Sequence, residues 1–249
     1  MPVASNRPAS RLLDWRNAFD TPGGLPMAKV GKVDDPSCSE CAQYNCYRHD
    51  KQYPKFCATE EADPALVAGT RETYAGEGLD GRLARAAAEV EGRYYGQISR
   101  CEEIVAFAHR IGAKRIGIAT CFGLIEETKL FVRILRLAGL DPVTVLCKVG
   151  SVEKESIGIP DELKIRPGAY EAACNPILQA KNLNAEQTDL NVIVGLCVGH
   201  DALFSRHSEA PVTTLITKDR LTGHNPAVAL YTLHSYSKRI LDEQRMREL

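Results

Sequence analysis

Apolar positions along residues 77–249 follow two alternating periods, one typical of helices and one typical of strands. Apolar residues spaced by three and four predict helices over 79–95, 100–111, 123–138, 176–184 and 198–206. Short apolar runs between them predict strands over 114–120, 143–147, 190–196 and 212–217. Residues 226–247 are predicted to be mostly helical. This alternation predicts an α/β fold with a mainly parallel sheet of about four strands and flanking helices.

The segments before residue 77 have a different composition. Residues 1–36 are rich in proline, glycine and arginine, and they predict a mobile N-terminal extension. Met27 lies where the composition changes and is an alternative start. Residues 37–76 form a cysteine-rich module, and residues 77–249 form the α/β domain.

Three cysteines of the α/β domain are placed at the ends of predicted strands. Cys121 follows the first strand, Cys147 ends the second, and Cys197 ends the third. Cys174 lies in the loop before the helix over 176–184. Because the carboxyl ends of parallel strands form one edge of a sheet, we expect these four thiols to share a cofactor site there. The alternative is that each is a small core side chain, which is our interpretation of Cys101.

Three further side chains near the same edge are candidates for catalysis. His200 follows Cys197 closely and is a candidate ligand or proton donor. Lys218, with Arg220, follows the fourth strand and is expected to bind an anionic substrate, unless both are simply solvated. His224 precedes Asn225-Pro226, a sequence typical of a helix start. A well-capped helix explains that motif equally well.

The module contains four cysteines in the pattern C-x2-C-x4-C-x10-C, namely Cys38, Cys41, Cys46 and Cys57. Four thiols so close in sequence predict a metal site that stabilises a segment too small for its own core. Zinc and a four-iron cluster both remain open, as does a thiol group without metal. His49 is an alternative ligand.

The charge and the apolar runs of the chain argue against several classes of function. Lys plus Arg number 31 and Asp plus Glu number 32, so the near-neutral chain is not expected to capture nucleic acid or an anionic membrane. No apolar run is long enough to span a bilayer. Nine cysteines without an export signal predict a cytoplasmic protein with metal or thiol chemistry rather than disulfides.

Several long motifs resemble an uncharacterised group of metal-binding proteins from anaerobic bacteria and archaea, the domain-of-unknown-function family 1847. The resemblance covers nearly everything from about residue 37 to the end. It implies metal binding and little more. The motifs that carry it are Cys38-Ser39-Glu40-Cys41, Asn45-Cys46-Tyr47, Ile165-Arg166-Pro167-Gly168, Cys174-Asn175-Pro176-Ile177, Gly195-Leu196-Cys197-Val198-Gly199-His200-Asp201, Ala210-Pro211-Val212-Thr213-Thr214, Lys218-Asp219-Arg220 and Gly223-His224-Asn225-Pro226.

Three functions compete at this stage. The first is an iron–sulfur protein, with a four-iron cluster on the sheet-edge cysteines and a redox or Lewis-acid role of a lyase or desulfidase kind. Its expected partners are a small anionic or sulfur-containing substrate and a redox partner protein. The second is a non-catalytic zinc-binding or metal-sensing module. The third is metal-free sulfur transfer through Cys197. Whether the two cysteine groups form one site or two stays open.

Overall fold

A computed structural model describes residues 38–48 and 52–249. The predicted extension over 1–36 and the alternative ligand His49 lie outside the described residues. The chain divides into two units between Arg71 and Glu72, and each unit is described by itself. None of the helices in the described part of the chain is long and apolar enough to cross a membrane.

The first unit contains short elements around its cysteines. Cys38–Glu40 form a 3₁₀ turn, and helix α1 spans Asn45–Arg48. Helix α2 spans Pro64–Ala75 and continues across the division, with Asp63 Oδ1 accepting a hydrogen bond from Ala65 N–H at 2.8 Å. The sequence analysis did not predict α2. None of its residues is buried, so no apolar stripe marks it in the sequence.

The second unit has the predicted α/β fold. Four helices follow the apolar stripes of the sequence: α3 (Leu79–Tyr94), α4 (Arg100–Ile111), α5 (Ile125–Leu137) and α6 (Pro176–Ala185). The strands are β1 (Arg115–Thr120), β2 (Asp141–Leu146), β3 (Leu190–Val194) and β4 (Val212–Ile216), and helix α7 spans His200–His207. All four strands are parallel, which confirms the predicted fold class.

The segment over 226–247, predicted to be mostly helical, is divided into separate helical pieces. The structure has α8 (Ala227–Tyr231), a 3₁₀ turn at Lys238–Leu241 and α9 (Glu243–Glu248). Thr232 Oγ1 donates to Val228 O at 2.8 Å and also pairs with Ser237 Oγ at 2.7 Å. These hydroxyl groups compete for the bonds that would continue the helix.

Two apolar layers cover the sheet. One face packs against α4 and α5, through Ile104, Phe131 and Leu135 among others. The other face packs against α6 and α7, through Leu183 and Phe204. β3 is buried along its whole length, as expected for a strand covered on both faces.

The strand order β2-β1-β3-β4 places a change of direction between β1 and β3. The chain leaves β1 toward β2 on one side and returns to β3 on the other. A crevice at the carboxyl ends of two such strands is where open α/β sheets bind ligands. Gly195 lies there with φ +70°, and a Cβ atom at this position would lie 1.9 Å from Leu124 Cδ1. Only glycine therefore allows the loop after β1 to pack against the end of β3.

Gly117 is required in the middle of β1. A Cβ atom there would lie 1.9 Å from Asn191 Oδ1, and the buried Asn191 is fixed by bonds with Thr188 Oγ1 and Ser208 Oγ at 2.8 and 2.7 Å. We expect Gly117→Ala to lower the free energy of unfolding by about 3 kcal/mol, because overpacking must displace this network. Urea denaturation measures the change.

Gly92→Ala provides the control. Gly92 lies in α3, and nothing lies within 4 Å of a Cβ atom added there. Alanine favours a helix over glycine, so this variant should gain roughly 0.5–1 kcal/mol. Equal stability of the two variants would contradict the packing described for β1.

Candidate thiol site at the carboxyl edge of the sheet

The sheet brings the four predicted cysteines to one edge. Cys121 follows β1 directly and Cys147 follows β2 directly, whereas Cys197 lies three residues beyond the end of β3. Cys174 immediately precedes Asn175, which caps α6 by accepting a hydrogen bond from Leu178 N–H at 3.0 Å. Cys121 and Cys147 are buried, and Cys174 and Cys197 are half-buried.

Cys147 is the centre of this group. Its thiol is in hydrogen-bonding contact with the thiols of both Cys121 and Cys174. Its sulfur also accepts a hydrogen bond from the Phe122 N–H at 3.3 Å. A single S–H can point at only one of the two neighbouring sulfurs at a time. Cys121, Cys147 and Cys174 therefore pack together, with Cys147 within hydrogen-bonding reach of the other two, and we call these three residues the thiol cluster.

The contacts within the thiol cluster separate the pKa values of its members. The hydrogen bond with Cys147 lowers the pKa of Cys121 from 9.0 to about 5, with help from the Gly123 backbone and Lys218 against the effect of burial. The same partner lowers the pKa of Cys174 to about 5, with help from Lys148 and the charge of His200. The pKa of Cys147 is raised, because its proton is held between two sulfurs and in a buried place. The contacts therefore favour a thiolate at Cys121 or at Cys174 beside a protonated Cys147.

Positive side chains from separate loops surround the sulfurs. Lys218 follows β4 and is close enough to Cys121 to lower its pKa by charge and by hydrogen bonding. Lys148 acts likewise on Cys174, and its Nζ donates to Ala172 O at 2.5 Å. Burial of thiolates requires such compensation. Negative charge on Cys121 or Cys174 is therefore offset by the positive charge of Lys218 or Lys148.

Cys197 has a different partner from the other three. Arg220 Nη2 donates to Cys197 Sγ at 3.0 Å, and this contact raises the pKa of Arg220. The charges of Cys121 and Cys174 raise it further, so the guanidinium lies within electrostatic reach of the thiol cluster. The four thiols thus divide into three that contact one another and one that is paired with arginine.

The loop after β4 is closed by its own polar groups. His224 has φ +68°, which is uncommon for a residue with a side chain. Its N–H donates to Asp219 O at 2.7 Å, and its Nδ1 accepts a hydrogen bond from Asp219 N–H at 3.1 Å. Asp219 Oδ1 also accepts from Leu221 N–H at 2.9 Å. This closure fixes the backbone that carries Lys218 and Arg220.

Gln179 lies beneath the cluster and was missed by the sequence analysis. It is fully buried on α6, and its Nε2 donates to Val145 O at 2.7 Å and to Thr120 O at 3.2 Å. Thr120 O also accepts from Cys147 N–H at 2.8 Å. Gln179 therefore ties together the strand ends that carry Cys121 and Cys147. Its polar side chain on the buried stripe of α6 was the sequence signal.

The predicted catalytic residues have different surroundings. Lys218 is close to Cys121, and His200 influences Cys174 through its charge. The contacts described for His224 are with Asp219 instead. The motif before α8 also differs from that before α6, since the cap residue of α8 is Pro226 and makes no side-chain cap bond. Cys101 packs against the apolar core, in agreement with its interpretation as a core residue.

The cysteines of the first unit have mainly local contacts. Cys41 Sγ accepts a hydrogen bond from Tyr44 N–H at 3.4 Å, and the Glu60 backbone lowers the pKa of Cys57. Cys38 lies in the 3₁₀ turn and Cys46 in α1. Over residues 38–48 and 52–249, no three or more His, Cys, Asp or Glu side chains are arranged to hold a metal ion. The metal sites therefore stay predictions.

We expect Cys147→Ala to raise the pKa of Cys174 from about 5 toward 9.0, because the variant lacks the thiol that hydrogen-bonds its sulfur. The pH dependence of Cys174 alkylation by iodoacetamide in metal-free protein measures this change, since only the thiolate reacts. Cys101→Ala is the matched control and should leave the profile unchanged. A wild-type profile centred near pH 9 would contradict the cluster.

Comparisons with known proteins identify a family but no biochemical activity. Residues 57–215 match the family model described as "Protein of unknown function (DUF1847)". An uncharacterized protein of Methanocaldococcus jannaschii is 40% identical over 205 residues, which cover 82% of this chain and 98% of that protein. No solved structure matches the chain. The chain belongs to the DUF1847 family.

Proposed function

We propose that this chain is an iron–sulfur protein whose cofactor is held by Cys121, Cys147 and Cys174 at the carboxyl edge of the sheet. One observation carries the proposal: cysteines from three distant parts of the chain pack together, with Cys147 within hydrogen-bonding reach of both others. Cys121 and Cys147 also belong to the buried cluster that covers one face of the sheet, and Cys174 packs against it. Their lowered and raised pKa values distinguish them from the purely apolar members of that cluster.

The chemistry of the donors, rather than their present spacing, favours such a cofactor. All three donors are sulfur, which favours soft metal ions and iron–sulfur clusters over hard cations. The pKa values of Cys121 and Cys174 are lowered, and Lys148 and Lys218 lie close enough to offset negative charge on them. When bound through three protein thiolates, a four-iron cluster supplies one accessible iron for Lewis-acid or redox chemistry.

The other residues at this edge would bind the substrate and transfer protons beside the cofactor. Cys147 must lose its proton when it becomes a ligand, so binding at this site releases a proton. Arg220 and Lys218 would attract a small anionic or sulfur-containing substrate. His200, whose charge lowers the pKa of Cys174, is the candidate proton donor. Cys197 is paired with Arg220, which lies within electrostatic reach of Cys121 and Cys174. The redox partner protein expected from the sequence stays a prediction.

Anaerobic purification followed by iron, sulfide and zinc analysis tests the proposal. We expect brown protein, and we expect Cys147→Ser to lower iron affinity by more than the roughly 10–100-fold cost of losing an outer-shell partner. Cys101→Ser is the matched control, because Cys101 is a half-buried cysteine that packs in the core. It should keep its iron.

Further variants separate the alternatives. Cys197→Ser should keep iron if three thiols bind it and lose iron if all four do. Cys41→Ser reports on the N-terminal cysteines Cys38, Cys41, Cys46 and Cys57, for which we propose a separate zinc site. Colourless protein that contains only zinc would replace the iron–sulfur proposal with a metal-binding or metal-sensing module.

The pairing of Cys197 with Arg220 favours sulfur transfer as a second candidate function. In this reaction the Cys197 thiolate attacks the outer sulfur of thiosulfate. A bond forms between the two sulfurs, the sulfur–sulfur bond of thiosulfate breaks, and sulfite leaves with the electron pair. The arginine cation beside the sulfur would stabilise the anionic persulfide that results.

Mass spectrometry after incubation with thiosulfate and alkylation measures this persulfide. We expect it on Cys197, and we expect Arg220→Gln to lower its yield about tenfold, since a charge-assisted hydrogen bond is worth roughly 1.5–3 kcal/mol. The Cys101→Ser control should behave as wild type. Persulfide spread evenly over several cysteines would rule out a specific acceptor.

A further inference from the structure

Three large apolar side chains that are next in sequence to residues of the thiol site are exposed. Phe122 is 66% exposed and follows Cys121, and Val198 is 90% exposed and follows Cys197. Leu221 is 73% exposed and follows Arg220. Each of the loops after β1, β3 and β4 thus has one exposed apolar side chain. We call Phe122, Val198 and Leu221 the apolar rim.

Folding does not account for the apolar rim. The backbone of Phe122 is held by its N–H bond with Cys147 Sγ, while Leu124 in the same turn supplies the core contact. The backbone of Leu221 is held by Asp219 Oδ1. Val198 lies between Cys197 and Gly199, and Gly199 has φ +83°. These backbones are fixed while the side chains contribute to neither core cluster.

Positive charge stands next to the apolar rim. The Arg220 guanidinium is 3.0 Å from Cys197 Sγ, and Lys218 is close to Cys121. Apolar surface beside convergent cations is complementary to a molecule that has one anionic end and one apolar end. A purely inorganic anion would use the cations and leave the rim in water.

We propose that the carboxyl edge binds a small organic anion, with its charged head against Lys218 and Arg220 and its apolar or aromatic body over the apolar rim. The proposal rests on the proposed function for the position of the reacting group beside the thiol cluster. It names the class of substrate for that site. Binding of the anion itself requires only the residues named here.

The size of the surface favours a small molecule over a folded partner. Stable protein interfaces bury about 800 Å² on each partner, over some 20–30 residues. The apolar rim contributes three side chains around half-buried and buried thiols. A small molecule can cover these side chains and still bring its head to the sulfurs.

Isothermal titration calorimetry of the full-length purified protein with naphthalene-2-sulfonate tests the proposal. We expect Phe122→Ser and Leu221→Ser each to weaken binding roughly tenfold, since a partly buried large apolar side chain contributes about that much. Leu137→Ser is the matched control, because Leu137 is 80% exposed at the end of α5, away from the carboxyl edge. It should bind as wild type.

A neutral ligand tests the role of charge. Naphthalene-2-sulfonamide should bind at least tenfold more weakly than the sulfonate, and Arg220→Gln should remove most of that difference. If Leu137→Ser weakened binding as much as Phe122→Ser or Leu221→Ser does, the ligand would be binding nonspecifically to exposed apolar side chains. That result would overturn the proposal. Equal affinity for the two ligands would overturn it as well.

Two further measurements distinguish this inference from neighbouring explanations. Size-exclusion chromatography of wild type and Phe122→Ser detects a second copy of the chain on the rim, and a dimer lost in the variant would overturn the proposal. The metal content of the same samples distinguishes the proposed ligand class from the proposed iron–sulfur cofactor. Rim-dependent binding by protein that never acquires iron would support the ligand class while the iron–sulfur proposal fails.

Discussion

The parallel register of β1 with both of its neighbours is the constraint on which the site depends. Thr120, the last residue of β1, pairs with Leu146 at the end of β2 and with Val194 at the end of β3. Cys121 and Cys147 follow these positions directly, so their sulfurs lie at the same level of the sheet. A shift of one residue would turn alternate side chains to the opposite face and separate them.

This constraint explains why a buried polar side chain, Gln179, contacts the strand ends from the interior. Gln179 bonds with the carbonyls of Thr120 and Val145, and it does so from the interior of α6. Its Oε1 has no partner among the described residues, which is a cost of burying an amide there. The interaction links the ends of β1 and β2, which Cys121 and Cys147 follow directly.

Electrostatics then divides the four thiols into two kinds. Cys121 and Cys174 share Cys147 as a hydrogen-bonding partner, whereas Cys197 has the guanidinium of Arg220. A buried sulfur that accepts a hydrogen bond from another thiol is suited to metal ligation once the shared proton leaves. A sulfur beside arginine, with exposed apolar neighbours, is suited to meet a substrate. The proposed cofactor site and the proposed ligand surface are thus adjacent parts of one edge.

Membership of the DUF1847 family identifies relatives of the chain without supplying a reaction. The match covers residues 57–215, which include the thiol cluster and Cys197. Lys218, Arg220 and Leu221 lie just beyond it. The chemistry therefore has to be argued from the site, since fold alone does not define function.

The sequence by itself determined the fold class and placed Cys121 and Cys147 at strand ends, whereas Cys197 lies three residues beyond β3 rather than at its end. Apolar periodicity is a local property, and it located the bounds of the strands to within two residues. Contacts between residues distant in the chain were decided only by the tertiary structure, because pairing register and loop closure set them. Cys147 as the shared partner, Arg220 beside Cys197, and Gln179 beneath two strands are of this kind. The division of the helical segment after residue 226 could not be predicted either. It depends on hydrogen bonds of the Thr232 and Ser237 hydroxyl groups, which the spacing of apolar residues does not indicate.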